Sequence, residues 1–79
     1  MDLTIYTLIY KSFVEHIPKN YPGVTFASNV RNSKGENTHL LIRQYGEEYK
    51  FKFSDDFKPY ENIEHLRDLE NKLFEQLKD

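Results

Sequence analysis

Thr38–Phe53 reads THLLIRQYGEEYKFKF, and its pattern decides the fold. At its end, Tyr49, Phe51 and Phe53 alternate with Glu48, Lys50 and Lys52. A period of two is the mark of a strand with one buried and one wet face. Thr38 to Tyr45 reads as a second strand, and Gly46-Glu47 as the tight hairpin joining the two. Upstream, Asn32-Ser33-Lys34-Gly35 is a turn, and so is Pro22-Gly23. Between these turns Val24, Phe26 and Val30 alternate with Thr25, Asn29 and Arg31. That predicts a third strand, with the apolar set facing the core.

Helical periodicity flanks the strands. Residues 3–17 (LTIYTLIYKSFVEHI) read as a helix that Asp2 caps and Pro18 stops. Ile5, Ile9, Phe13 and Ile17 recur every four residues, with Leu8 beside them, and form the expected core stripe. Thr4, Ile5, Thr7 and Ile9 are β-branched and would also suit a strand. After a connector at 54–60 that contains Pro59, a second helix is expected from about Asn62 to Leu77. Ile63, Leu66, Leu69, Leu73 and Leu77 line one side of it, with Phe74 at the edge.

The order is helix–strand–strand–strand–helix: a single α+β domain over residues 1–79, with a three-stranded antiparallel sheet and both helices on one face. The other face of such a sheet can stay wet. It would present Thr25, Asn29, Arg31, His39, Leu41, Arg43, Tyr45, Glu48, Lys50 and Lys52.

A chain of 79 residues buries only about 60% of its unfolded surface, so it needs large side chains in its core. Six Phe and six Tyr supply them. With no Cys there is no disulfide framework, no thiolate metal site and no thiol nucleophile. No basic segment precedes a clean apolar run, and nothing approaches the ~20 apolar residues of a membrane span. The chain reads as a complete small cytoplasmic protein with no membrane partner. Its charge is uneven. Residues 1–53 carry seven basic and five acidic side chains, net +2, whereas residues 54–79 carry four basic and eight acidic ones, net −4.

Three surfaces stand out. On the last helix, Glu61, Glu64, Asp68, Glu75 and Asp79 fall in one arc at 100° per residue. At 1.5 Å per residue this ridge would run about 27 Å. A row of carboxylates on a rod can imitate a phosphate strand and fill a basic channel. Acids near a helix C-terminus oppose the macrodipole, which suggests that Glu75 and Asp79 have a use. The plainer alternative is a solvated face, partly neutralised by Lys72 and Lys78.

On the first helix, Leu3, Tyr6, Tyr10 and Val14 form a second apolar stripe that fits a dimer seam or a partner patch. The alternative is that neighbouring elements wrap it. On the open sheet, Arg31, Arg43, Lys50 and Lys52 with Tyr45 and His39 combine charge for phosphates with a ring for bases. Equally, such cations can serve solubility and discourage edge pairing.

Catalysis finds no support. Glu47-Glu48 and Asp55-Asp56 are sequence neighbours, which point apart on a strand. Glu61 and His65 at i, i+4 offer two metal ligands but no third at recognisable spacing. His16 and His39 are isolated, no Ser sits in a nucleophile motif, and the three Gly mark turns. The expectation is a non-enzymatic binding protein with no cofactor and no metal. It would block a larger protein, such as a nuclease or nucleic-acid complex, with Tyr6 and Tyr10 as anchors. The rival is a nucleic-acid-binding module that uses the basic sheet face.

The element order resembles the double-stranded-RNA-binding domain, a family that grips phosphates with lysines at the start of its last helix. Here that stretch is Tyr60-Glu61-Asn62-Ile63-Glu64, whose acidity departs from the pattern and argues against that activity. The hairpin Tyr45–Phe53 followed by a helix is similar to the βββα DNA-reading arm of some phage integrases. Thr38-His39-Leu40-Leu41-Ile42-Arg43, followed by Gly46-Glu47-Glu48-Tyr49, resembles the middle strands and hairpin of prophage-encoded anti-CRISPR proteins that inhibit a CRISPR nuclease. That likeness implies a mobile-element inhibitor. It carries no individual site residue onto this chain.

Overall fold

The structure is a computed structural model that describes residues 3–78. Asp2 and Asp79, the expected first cap and the last carboxylate of the ridge, lie outside the described residues. The elements are α1 (Leu3–Asn20), β1 (Val24–Arg31), β2 (Asn37–Gln44), β3 (Glu47–Lys52) and α2 (Ile63–Gln76). The strands form one antiparallel sheet in the order β1-β2-β3. This is the expected α+β order.

The hairpin turns one residue earlier than its Gly46-Glu47 pattern suggests. Gln44 pairs with Glu47, which leaves Tyr45 and Gly46 as the two-residue loop. Both have positive φ, 50° and 81°. Two left-handed residues match the right-handed twist of the flanking strands. At the other end of the chain, Asn62 caps α2, its side chain accepting the Glu64 N–H at 2.9 Å. α1 continues past Pro18 to Asn20, and the Tyr21 N–H reaches the Ile17 carbonyl at 3.0 Å. Pro18 is exposed and stands in the last turn, where few hydrogen bonds remain to be lost.

One hydrophobic core draws on both helices and on two strands. It contains Tyr10, Val14 and Ile17 of α1, Leu40 and Ile42 of β2, Phe51 of β3, Phe53 just beyond it, and Leu66, Leu69 and Leu73 of α2 with Leu77 at its cap. Phe53 is an aromatic hub, with Tyr60, Phe57 and Tyr10 at centroid distances of 5.7, 6.0 and 6.1 Å. Edge and tilted contacts of this kind add to the area that the rings bury.

Two expected phases are inverted. In β1 the register shifts between Val24 and Phe26, so Thr25 is an extra residue against β2. Val24 still packs on the core, but beyond the bulge Ala27 and Asn29 pair with Ile42 and Leu40 of the core face. Phe26 and Val30 pair with Arg43 and His39 instead. One added residue moves every later side chain to the opposite face.

In α1 the core face is the second stripe, not the first. Tyr10, at 2% exposure, and Val14 are buried, so they are core residues and cannot serve as a partner or dimer patch. Ile5, Leu8 and Ile9, from the expected core stripe, are exposed at 56%, 59% and 40%. Of that stripe only Ile17 is fully buried, with Phe13 half-buried against the core. The two inversions are linked, because the Tyr10 hydroxyl donates to Asn29 Oδ1.

This arrangement sets an order of mutational costs. Ile17→Ala should lower stability by about 2–5 kcal/mol, whereas Ile5→Ala should stay within about 0.5 kcal/mol. Tyr10→Phe, which strands the Asn29 acceptor, should cost about 1–2 kcal/mol. Urea unfolding of the three variants checks the ranking, and equal losses at Ile5 and Ile17 would contradict the α1 orientation.

Candidate functional site

The candidate surfaces rest on a buried clamp. Gln44 is 1% exposed, and both the nitrogen and the oxygen of its amide are hydrogen-bonded. Its Nε2 donates to the carbonyls of Pro22 at 2.8 Å and Lys78 at 2.6 Å. Its Oε1 accepts the Lys78 N–H at 2.8 Å. The end of α2 is thereby tied to β2 and to the turn before β1. Among the described residues no buried side-chain polar atom lacks a partner.

On α2 the acidic ridge is shorter than its sequence spacing suggests. Glu64, Asp68 and Glu75 are exposed on a helix of 14 residues, about 21 Å long at 1.5 Å per residue. Glu61 precedes the helix, half-buried in a turn where its N–H bonds the Lys58 carbonyl at 3.0 Å. The counter-ions are partly engaged elsewhere: Lys72 Nζ sits 4.0 Å above the Phe57 ring. Glu64 stands in the first turn, where it suits the helix dipole, and Glu75 near the end, where it does not.

Tyr6, half-buried, shares an open groove with Glu61, Asn62, Ile63 and Glu64. At the other end, Asn20 and Tyr21 share one with Glu70, Asn71 and Phe74. The helices therefore start together at one end of the molecule and finish together at the other. Along them lie exposed apolar side chains: Ile5, Leu8 and Ile9 on α1, and Ile63 (39%) and Phe74 (71%) on α2. Their spacing of 11 residues places Ile63 and Phe74 on the same flank of α2, between the core leucines and the acidic stripe.

The sheet face away from the core has three rows across the strands. They are Phe26–Arg43–Glu48, Ser28–Leu41–Lys50 and Val30–His39–Lys52. The Arg43 guanidinium lies 5.9 Å from the Phe26 ring centre. Arg31 is not part of this face. It lines a groove with Thr7, Tyr10 and Lys11 of α1, and its Nε donates to Asn37 Oδ1 at 3.1 Å. Tyr45 stands exposed in the hairpin loop with its ring against Gly23. A Cβ on Gly23 would meet that ring at 2.2 Å, and its φ of 78° also favours glycine.

Of the sequence-predicted sites, the structure groups Arg43, Lys50 and Lys52, and it brings Tyr6 to Glu61 and Glu64. It buries Tyr10 and Val14 and moves Arg31 away. Phe26, Ile5, Leu8 and Ile9 are exposed residues that periodicity assigns to the core. Nothing in the local pattern marks the bulge that turns Phe26 outward.

His65 Nδ1 accepts the Lys58 N–H at 3.0 Å, so that nitrogen is committed to the chain. Among the described residues no three His, Cys, Asp or Glu side chains gather as a metal site, and no helix is long and apolar enough to cross a membrane. Set beside known proteins, the chain is matched by no family model, no curated protein and no solved structure.

Three phenols have their acidity weakened. Burial, with Tyr60 nearby, holds Tyr10 well above its ordinary 10.0. Burial also raises Tyr60, and the hydrogen bond to Glu47 raises Tyr49. A raised phenol favours the neutral form in the folded state. Its stabilisation is full below pH 10.0, the unfolded value, and is lost as pH climbs toward the folded one. Urea midpoints should therefore fall steeply above about pH 10, and Tyr10→Phe should make that fall shallower. An unchanged slope in the variant would show that Tyr10 does not carry the effect.

Proposed function

We propose that this chain is a non-enzymatic binding domain that docks on a larger protein through its helix side and blocks it. The observation that carries this reading is the outward aliphatic stripe of α1, with Ile5, Leu8 and Ile9 exposed although buried positions were available on the same helix. Contiguous apolar surface at a helix is more costly in water than scattered single residues and is typical of interaction sites. On α2, Ile63 is exposed at the end shared with Tyr6, and Phe74 is the most exposed large apolar side chain described.

The carboxylates of Glu64, Asp68 and Glu75 supply the polar rim and the sign of the partner, whose surface would be basic around an apolar patch. A basic, nucleic-acid-processing protein fits that description, and the resemblance of Thr38–Arg43 and Gly46–Tyr49 to anti-CRISPR proteins supports an inhibitor from a mobile element, at work in the host cytoplasm. Tyr6 beside Glu61 and Glu64 is the aromatic anchor retained from the expected patch.

A nuclease-treated pull-down from bacterial lysate tests this, with Leu8→Glu and the pair Glu64→Lys, Asp68→Lys as comparisons. All these positions are exposed, so the variants should fold. Each should lose the protein that the parent retains, and capture should weaken with salt. Retention of the same protein by both variants would overturn the proposal.

A further inference from the structure

The sheet face turned away from the core carries a second chemistry, independent of the helix surfaces. We propose that it is a platform for single-stranded nucleic acid, with Arg43, Lys50 and Lys52 on the phosphates and Phe26 and Tyr45 on the bases.

The first support is charge. Across the three rows of this face, Glu48 is the only carboxylate, against Arg43, Lys50 and Lys52. Lys50 and Lys52 follow one another on the same side of β3, about 6.8 Å apart at ~3.4 Å per residue. That spacing is close to one step of an extended phosphodiester chain. The exposed acids of α2 lie on the helix side, where they repel a polyanion and leave the sheet as its approach.

The second support is the pair of rings. Phe26 is 43% exposed, and the bulge at Thr25 is what turns it out of the core. Arg43 lies beside its ring and can pair a phosphate while the ring takes a base. Tyr45 is 59% exposed and has a φ of 50°, where Asn or Gly would sit with less strain. Gly23 lies close against the ring, while more than half of the residue stays open to solvent and available for stacking. A bulky residue held in a strained backbone at an exposed loop is a mark of function.

The third support is shape. The face is formed by the three strands, with no helical element among its rows to enter a major groove. Aromatic faces on a sheet take up bases that are already unstacked, as single strands offer.

Fluorescence anisotropy with labelled 12-nucleotide oligo-dT, oligo-U and a duplex of equal length tests the proposal. Both single strands should bind more tightly than the duplex, and a preference between them tells DNA from RNA. With about three phosphate contacts, affinity should fall roughly 20-fold between 50 and 200 mM salt. Lys50→Glu with Lys52→Glu should weaken binding at least about 10-fold. Glu64→Lys with Asp68→Lys should not weaken it. Tyr45→Asn is the decisive variant. Asparagine suits this turn, so the fold is kept or stabilised, while affinity should drop by about 5-fold or more.

Equal binding of duplex, or full affinity in both Tyr45→Asn and Phe26→Ala, would reduce the face to a general polyanion patch and overturn the stacking platform. Binding that is lost with the α2 reversals and kept with the β3 reversals would overturn the choice of face. None of these outcomes bears on protein capture by the helices, so the two readings fail separately.

Discussion

A buried phenol must find a hydrogen-bond partner, and for Tyr10 that partner is Asn29. The bond joins the middle of α1 to the latter part of β1, toward its closing turn, and it requires Tyr10 to face the sheet and Asn29 to face the helix. Once those two directions are set, the rest of each element has no freedom. On α1 the residues in phase with Tyr10 go inward, which takes Val14 and Ile17 to the core and leaves Ile5, Leu8 and Ile9 in water. On β1 the residues in phase with Asn29 go inward, which takes Ala27 to the core and sends Phe26 and Val30 to the open face. Both candidate surfaces are consequences of one internal polar contact.

Gln44 plays the corresponding part at the other end of the sheet. Its amide ties the turn before β1 and the residue after α2 to β2. A buried amide with every group paired fixes a unique arrangement, because any shift would leave a desolvated donor or acceptor unpaired. The clamp closes the hairpin end, where Tyr45 also rests on Gly23. The three hydrogen bonds of this buried amide thus stand next to the loop that exposes Tyr45.

The two halves of the charge distribution become two surfaces. Glu64, Asp68 and Glu75 of the acidic C-terminal third lie along α2, and Arg43, Lys50 and Lys52 of β2 and β3 share the open sheet face. Exposed apolar side chains accompany each set: Ile63 and Phe74 with the acids, Phe26 with the cations. Charge beside apolar area gives each surface both a steering field and something to desolvate on contact. The proposed partners divide along this line: a basic protein surface for the helix side and a single-stranded polyanion for the sheet side.

The sequence by itself determined the elements. Alternation in Tyr49, Phe51 and Phe53, the four-leucine stripe of α2 and the glycine turns are local signals, set by backbone period and by φ, and they yield the αβββα order directly. The sequence also placed Arg43, Lys50 and Lys52 together, since β2 and β3 pair across a two-residue loop with no irregularity. Only the tertiary structure decided which way α1 and β1 face. α1 is apolar over so wide an arc that two stripes compete, and periodicity favours the one through Ile5, Ile9 and Phe13, whereas the fold buries Tyr10 and Val14 of the other. β1 carries a bulge whose position depends on its partner strand and has no signature in the chain. The orientation seen pairs two polar atoms 19 residues apart, and a buried phenol needs such a partner, a match that no local period encodes.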